Sequence, residues 1–139
     1  MRVATAAAGL AMVTAGAGML ACGAAPPDLF AVDRTGNIPG AKLELVVSDN
    51  GEARCNGRHV PAIGDSRLLE ARDIQRKLKQ PAKRHVSLPP GPNSVLSYRV
   101  QSQDGTVRFS DTSPGVQPVF LRVAALTRSV AKQVCGLPR

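Results

Sequence analysis

The chain reads as an α+β domain: one antiparallel sheet of about five strands with two helices packed on one face, in the order β-β-β-α-β-β-α. Three observations lead there. Residues 42–55 and 94–112 each alternate apolar and polar positions about a turn signal. Residues 66–80 and 119–136 each repeat apolar positions at helical spacing. A length of 139 residues suits one compact domain.

The elements follow in order. Residues 29–32 make a short first strand, and "GNIPG" (36–40) reads as a turn. In "KLELVVSDNGEARC", Leu43, Leu45 and Val47 alternate with Lys42, Glu44 and Val46. A two-residue Asn50-Gly51 turn would set Val47 opposite Arg54. A three-residue loop, Asp49-Asn50-Gly51, pairs Val47 with Ala53 and Leu45 with Cys55. That register keeps one face apolar, so it is the expected one, with Gly51 left-handed. Cys55 then points into the core. Residues 56–64 read as a loop, and Asp65 or Ser66 as the cap of the first helix. Leu68, Ala71, Ile74 and Leu78 share a helix face, and Pro81 ends the helix. "LPPGPNS" is a rigid connection.

A two-residue Asp104-Gly105 turn pairs Val100 with Phe109 and Ser102 with Val107. Leu96, Tyr98, Val100, Val107 and Phe109 then share the buried face, while Ser97, Arg99, Gln101, Arg108 and Ser110 share the other. The second helix buries Val119, Val123, Leu126, Val130 and Val134. Cys135 sits in its last turn and Gly136 caps it.

The N-terminus gives an address. Arg2 precedes an uncharged run, residues 3–21, that ends in "MLACG". A positive start, an apolar middle and small residues at a cleavage point are the layout of a secretory signal. The rival is a retained membrane helix, since the run is nearly long enough to span. Its many Ala and Gly residues give little transfer energy, and no Lys or Arg cluster follows to stop transfer.

Met19-Leu20-Ala21-Cys22-Gly23 resembles the lipobox of bacterial lipoproteins. With its Ala- and Arg-rich usage, the chain resembles the small lipoproteins of high-GC actinobacteria, a likeness that brings no activity with it. The resemblance implies a diacylglycerol on the sulfur of Cys22 and cleavage before it. The alternative is an ordinary signal with a chance cysteine near its cut. On the lipobox reading, residues 1–21 are a cleaved signal peptide, 22–28 a lipidated tether and 29–139 the folded domain. Two or more acyl chains anchor a protein stably. Ala24-Ala25-Pro26-Pro27 spans about 10–15 Å when extended, so the domain sits close to the bilayer on the outer face of the cell membrane.

Of three cysteines, lipidation of Cys22 leaves Cys55 and Cys135 as a pair. An oxidising compartment favours a disulfide between them over two free buried thiols.

The search for chemistry returns little. His59 and His85 have no Cys, Asp or Glu at a metal-ligand spacing. There is no nucleophile elbow, no phosphate-cradling glycine loop and no CxxC. Glu70 and Asp73 lie beside Arg72 and Arg76, where helix ion pairs are the simpler reading. No catalytic constellation and no cofactor are expected.

Charge is the functional signal. The formal net charge is +8. Two basic groups stand out: Arg72, Arg76, Lys79, Lys83 and Arg84 on the first helix and the loop after it, and Arg99 and Arg108 on the open sheet face. Basic surfaces attract nucleic acid, anionic lipid or anionic polymers. Export argues against nucleic acid, as does the shortage of stacking residues, with only Phe30, Tyr98, Phe109 and Phe120 present. A generally basic solvated surface is the competing reading. The expected function is a non-enzymatic accessory or binding module of the envelope, engaging an anionic component or a protein partner. The alternative is a small exported protease inhibitor. The order hairpin, cysteine, Pro-containing loop, helix and hairpin resembles subtilisin-inhibitor-like proteins, yet that family uses two disulfides, one bracing its reactive loop. Here neither usable cysteine lies in "VSLPPGPNS".

Overall fold

The computed structural model describes residues 28–138. Cys22 and the run before it lie outside them. The chain runs β1 (Asp28–Gly36), β2 (Leu43–Ser48), β3 (Ala53–Cys55), β4 (Arg58–Val60), α1 (Asp65–Lys83), β5 (Leu96–Ser102), β6 (Gly105–Ser110) and α2 (Pro118–Gln133). The six strands form one antiparallel sheet in the order β4-β3-β2-β1-β5-β6. This is the α+β fold expected, with one strand more.

The first hairpin has the three-residue loop. Leu45 pairs with Cys55 and Val47 with Ala53, and Gly51 takes φ 86°, where a side chain would be strained. The alternation then buries Leu43, Leu45, Val47, Ala53 and Cys55 together. Residues 56–64 are not all loop. Asn56 and Gly57 both take positive φ, so the chain reverses in two residues and β4 pairs back onto β3. Only Val60 of β4 is buried, so periodicity had almost nothing to report.

The second hairpin keeps its faces and changes its register. Tyr98 pairs with Phe109, Val100 with Val107 and Ser102 with Gly105. The turn is therefore Gln103-Asp104, not Asp104-Gly105. A shift of two residues leaves every side chain on its own side of the sheet, so alternation could not choose. Two contacts do. Opposite Tyr98, the Phe109 ring stacks at 5.0 Å and passes the stack on to Phe120 at 4.9 Å. Gly105 abuts the end of α1, where a Cβ would lie 2.3 Å from the Ala82 carbonyl oxygen.

Pro81 does not end α1; the helix runs two residues further, with Pro81 and Ala82 buried. A proline in the last turn forfeits a single i→i−4 bond, and here it is buried. Neither Asp65 nor Ser66 caps the start. Gly64 is the N-cap, at φ 91° with no side-chain bond, and lets buried Ile63 precede the helix directly. Cys135 lies just past α2 rather than within it, followed by Gly136 at φ 69°.

Both helices cover one sheet face. Ala71, Ile74 and Leu78 of α1 and Val119, Phe120, Val123, Leu126 and Val130 of α2 meet Phe30, Val32, Leu43, Leu45, Val100 and Val107. Arg122 joins the helices. Its guanidinium bonds both Glu70 carboxylate oxygens at 2.7 Å and Asp73 at 2.7 Å, a two-pronged arrangement of the stronger kind. The disulfide Cys55–Cys135 ties β3 to the end of α2. Arg58 donates to the Cys135 carbonyl, and Arg67 reaches Ser129 and Gln133. Arg34, on the buried face of β1, is 1% exposed. It donates to the Ala41 and Gly40 carbonyls, which satisfies part of a charge that would otherwise be costly to bury.

Candidate functional site

Where the chain enters the fold is set by strand pairing. Asp28 pairs with Ser48 at the β2–β3 loop, and Ala31 pairs with Gln101 close to the β5–β6 turn. Helix α1 passes that same end. Arg72 bonds the Asp49 carboxylate at 2.8 Å and the Asp49 carbonyl at 2.7 Å. Arg76 lines a shallow depression with Asp28, Leu29 and Gln103. Ala82 lies against Gly105. Thus the first helix of the basic cluster borders the start of β1.

The cluster is not uniform. Arg72 is committed to Asp49. Arg76 and Lys77 both pair with Asp73. Their charge is partly answered, and Asp73 is held well below the usual carboxylate range, first by the Arg122 hydrogen bond and then by Lys77. Glu70 is lowered for the same first reason. Lys79, Lys83 and Arg84 are exposed, and among the described residues no carboxylate lies within ion-pair distance of them. They are the cations of this cluster that a partner could engage.

Arg99 and Arg108 stand elsewhere, on the sheet face away from the helices. They are direct cross-strand neighbours, and Arg99 also faces Asp33 on β1. Asp33 takes Arg99 at 3.1 Å; Arg108 has no carboxylate partner among the described residues. The two basic groups therefore belong to different surfaces.

The open face holds a cleft of about 360 Å³, lined by Asp33, Thr35, Ser97, Arg99 and Arg108 on the floor and by Ser87, Leu88 and Pro90 as a wall. Sequence alternation puts Ser97, Arg99 and Arg108 on one face; Asp33 and Thr35 join them because β1 runs on to Gly36, past the expected end at residue 32. The wall has no signal in the sequence beyond the rigidity of the proline-rich run. It arises because residues 86–88 bond along β6: the Arg108 N–H donates to the Val86 carbonyl and the Leu88 N–H to the Arg108 carbonyl, each at 2.9 Å.

His59 lies 3.4 Å from Glu52, a surface pairing. Among the described residues no group of three or more His, Cys, Asp or Glu is placed to hold a metal ion, and no helix is long and apolar enough to cross a membrane. No protein-family model, curated protein or solved structure matches the chain.

Proposed function

We propose that the chain is an exported, non-enzymatic binding module of the cell envelope, anchored through lipid on Cys22 and docked by α1 against the anionic leaflet. One observation carries the reading: α1, with Lys79 and Lys83 and the adjoining Arg84 lacking acidic partners among the described residues, passes the end of the sheet at which β1 begins. A short tether from Cys22 would hold that end near the bilayer. Cations within a Debye length of an anionic surface, about 8 Å at physiological salt, each add up to about 1 kcal/mol. Three together would add up to about 3 kcal/mol, enough to orient a domain that the lipid already retains.

Protease inhibition has weaker support. The candidate loop is held along β6 by two backbone bonds. At Gly91 it approaches the Thr112 carbonyl so closely that a Cβ would fall 1.9 Å away. Pro89, Pro90, Pro92 and Asn93 are exposed, but no disulfide braces the segment as in the inhibitors it resembles, since the one bridge joins Cys55 and Cys135.

The test uses the chain from residue 22 carrying Cys22→Ser, floated with phosphatidylglycerol-rich or phosphatidylcholine vesicles. Binding is expected to the anionic vesicles alone and to fall steeply with salt. Lys79→Gln/Lys83→Gln/Arg84→Gln should weaken it more than Arg99→Gln/Arg108→Gln. Absence of binding at low salt removes the docking reading. In cells, Cys22→Ser should release the chain from membranes or leave the precursor uncut; unchanged partition and migration would remove the anchor.

A further inference from the structure

The cleft on the open sheet face lies on the side opposite the helices, so its chemistry is independent of leaflet docking. We propose that it binds a small organic oxyanion, a carboxylate or phosphate monoester carrying an apolar group. Four features argue for it.

The first is charge. Arg99 and Arg108 sit directly opposite each other across β5 and β6, and like charges so placed are destabilising. Asp33 answers Arg99 alone. Two guanidiniums against one carboxylate leave Arg108 with its fork of donors open to an anion, and that fork matches carboxylate and phosphate geometry.

The second is rigidity. Arg108 bonds through both its backbone N–H and its carbonyl to the wall segment. Beyond the wall, the Asp111 carboxylate accepts from the Ser94 hydroxyl at 3.0 Å and from the Val95 N–H at 3.2 Å. The proline-rich segment is thus fastened at both ends. A site whose walls are already placed loses less entropy on binding.

The third is the mixture of linings. The hydroxyls of Thr35, Ser97 and Ser87 can donate to oxygens that Arg108 does not reach. Leu88 and Pro90 give the wall an apolar surface. A few convergent polar groups beside an apolar wall is the usual make-up of a small-ligand site.

The fourth is size. About 360 Å³ lies at the small end of the ligand-site range of roughly 300–1,000 Å³. It fits a single ring or short aliphatic body with its anionic head, and is too small for a polymer segment lying along the sheet.

The test titrates the full chain, solubilised in a zwitterionic detergent, with phenyl phosphate, phenylacetate and neutral phenylacetamide. Binding is followed by backbone and guanidinium chemical shifts. The expected result is saturable binding of at least one oxyanion, with shifts confined to the cleft, among them Thr35, Ser87, Leu88, Ser97, Arg99 and Arg108. The amide should bind at least about tenfold more weakly, the size of one lost charge-assisted contact. The tighter oxyanion identifies the headgroup class. Arg108→Gln should weaken binding about tenfold or more, and Arg108→Lys by less, since it keeps the charge and loses the fork. Lys83→Gln, on the other surface, should leave it unchanged. The unliganded shifts of each variant away from the cleft report whether it still folds. No saturable binding of either oxyanion, equal binding of the amide, or an Arg108→Gln variant that folds and binds as the parent would each overturn the proposal.

Discussion

Replacing Cys55 and Cys135 together by serine removes a cross-link between residues 80 apart in sequence. The folded state then loses one covalent tie, but the larger effect is on the unfolded chain, which regains the freedom of that loop. In the chain-entropy model a loop of this length is worth about 4.5 kcal/mol at 25 °C. Part of the tie remains in the folded state. Arg58 still reaches the Cys135 carbonyl, and Arg67 still reaches Ser129 and Gln133, so β4 and the end of α2 stay in register. The loss should therefore appear as reduced stability with an unchanged fold. At a urea m value of about 1.5 kcal/mol/M, the midpoint should fall by about 3 M. The measurement is urea unfolding of the chain from residue 22 in a Cys22→Ser background, with and without the two further substitutions. The unreduced, urea-unfolded parent should take up no thiol reagent, whereas the reduced one should take up two equivalents. Labelling of both cysteines without reduction would refute the pairing. A midpoint unmoved by the double substitution would refute the loop-entropy reasoning even if the bond exists.

Two further outcomes follow from the packing and the ion pairs. Gly105→Ala should cost about 2 kcal/mol or more, because its Cβ would fall 2.3 Å from the Ala82 carbonyl and the end of α1 would have to move. Gly57→Ala, at φ 80° with nothing within 4 Å, should cost only the left-handed penalty of about 1–2 kcal/mol; equal losses in thermal melts would show that the α1 contact is unimportant. Arg122 holds Glu70 and Asp73 below their ordinary range. Since the folded values are the lower ones, the stabilisation is complete above the unfolded values of about 4 and is lost as pH falls from there through the folded ones. Arg122→Gln should flatten that acid-side decline in the melting temperature while changing little of the slope at neutral pH and above.

Local chemistry decided more of this fold than of its surface. The face on which each strand residue lies follows from alternation alone, because the backbone pleat reverses with every residue. The three-residue loop at Gly51 follows too, since the two-residue alternative would have placed Arg54 opposite Val47 on the buried side. The bridge is expected from setting Cys22 aside as a lipidation site, together with the inward register of Cys55. Alternation is blind, however, to a slip of two, and so the Gln103-Asp104 turn was settled by the Phe109 ring and by the approach of α1. Strand order was beyond reach for the same reason: nothing within β1 states that it will be flanked by β2 on one side and β5 on the other. The basic cluster shows the limit most plainly. Read along the chain, Arg72 and Lys83 are equivalent cations. Only the fold brings Asp49, 23 positions away, against Arg72, and leaves Lys83 without a carboxylate among the described residues. The same holds for Arg108. Alternation puts it on the face of Arg99, but the expected register sets it opposite Gln101, and only the slip of two brings it opposite Arg99. Its wall of Ser87, Leu88 and Pro90 exists only because a connecting segment bonds along β6. Pairing over short separations is written in periodicity; the partner of a charge and the wall of a cleft depend on which distant segments share the space, and that is fixed by packing the whole core at once.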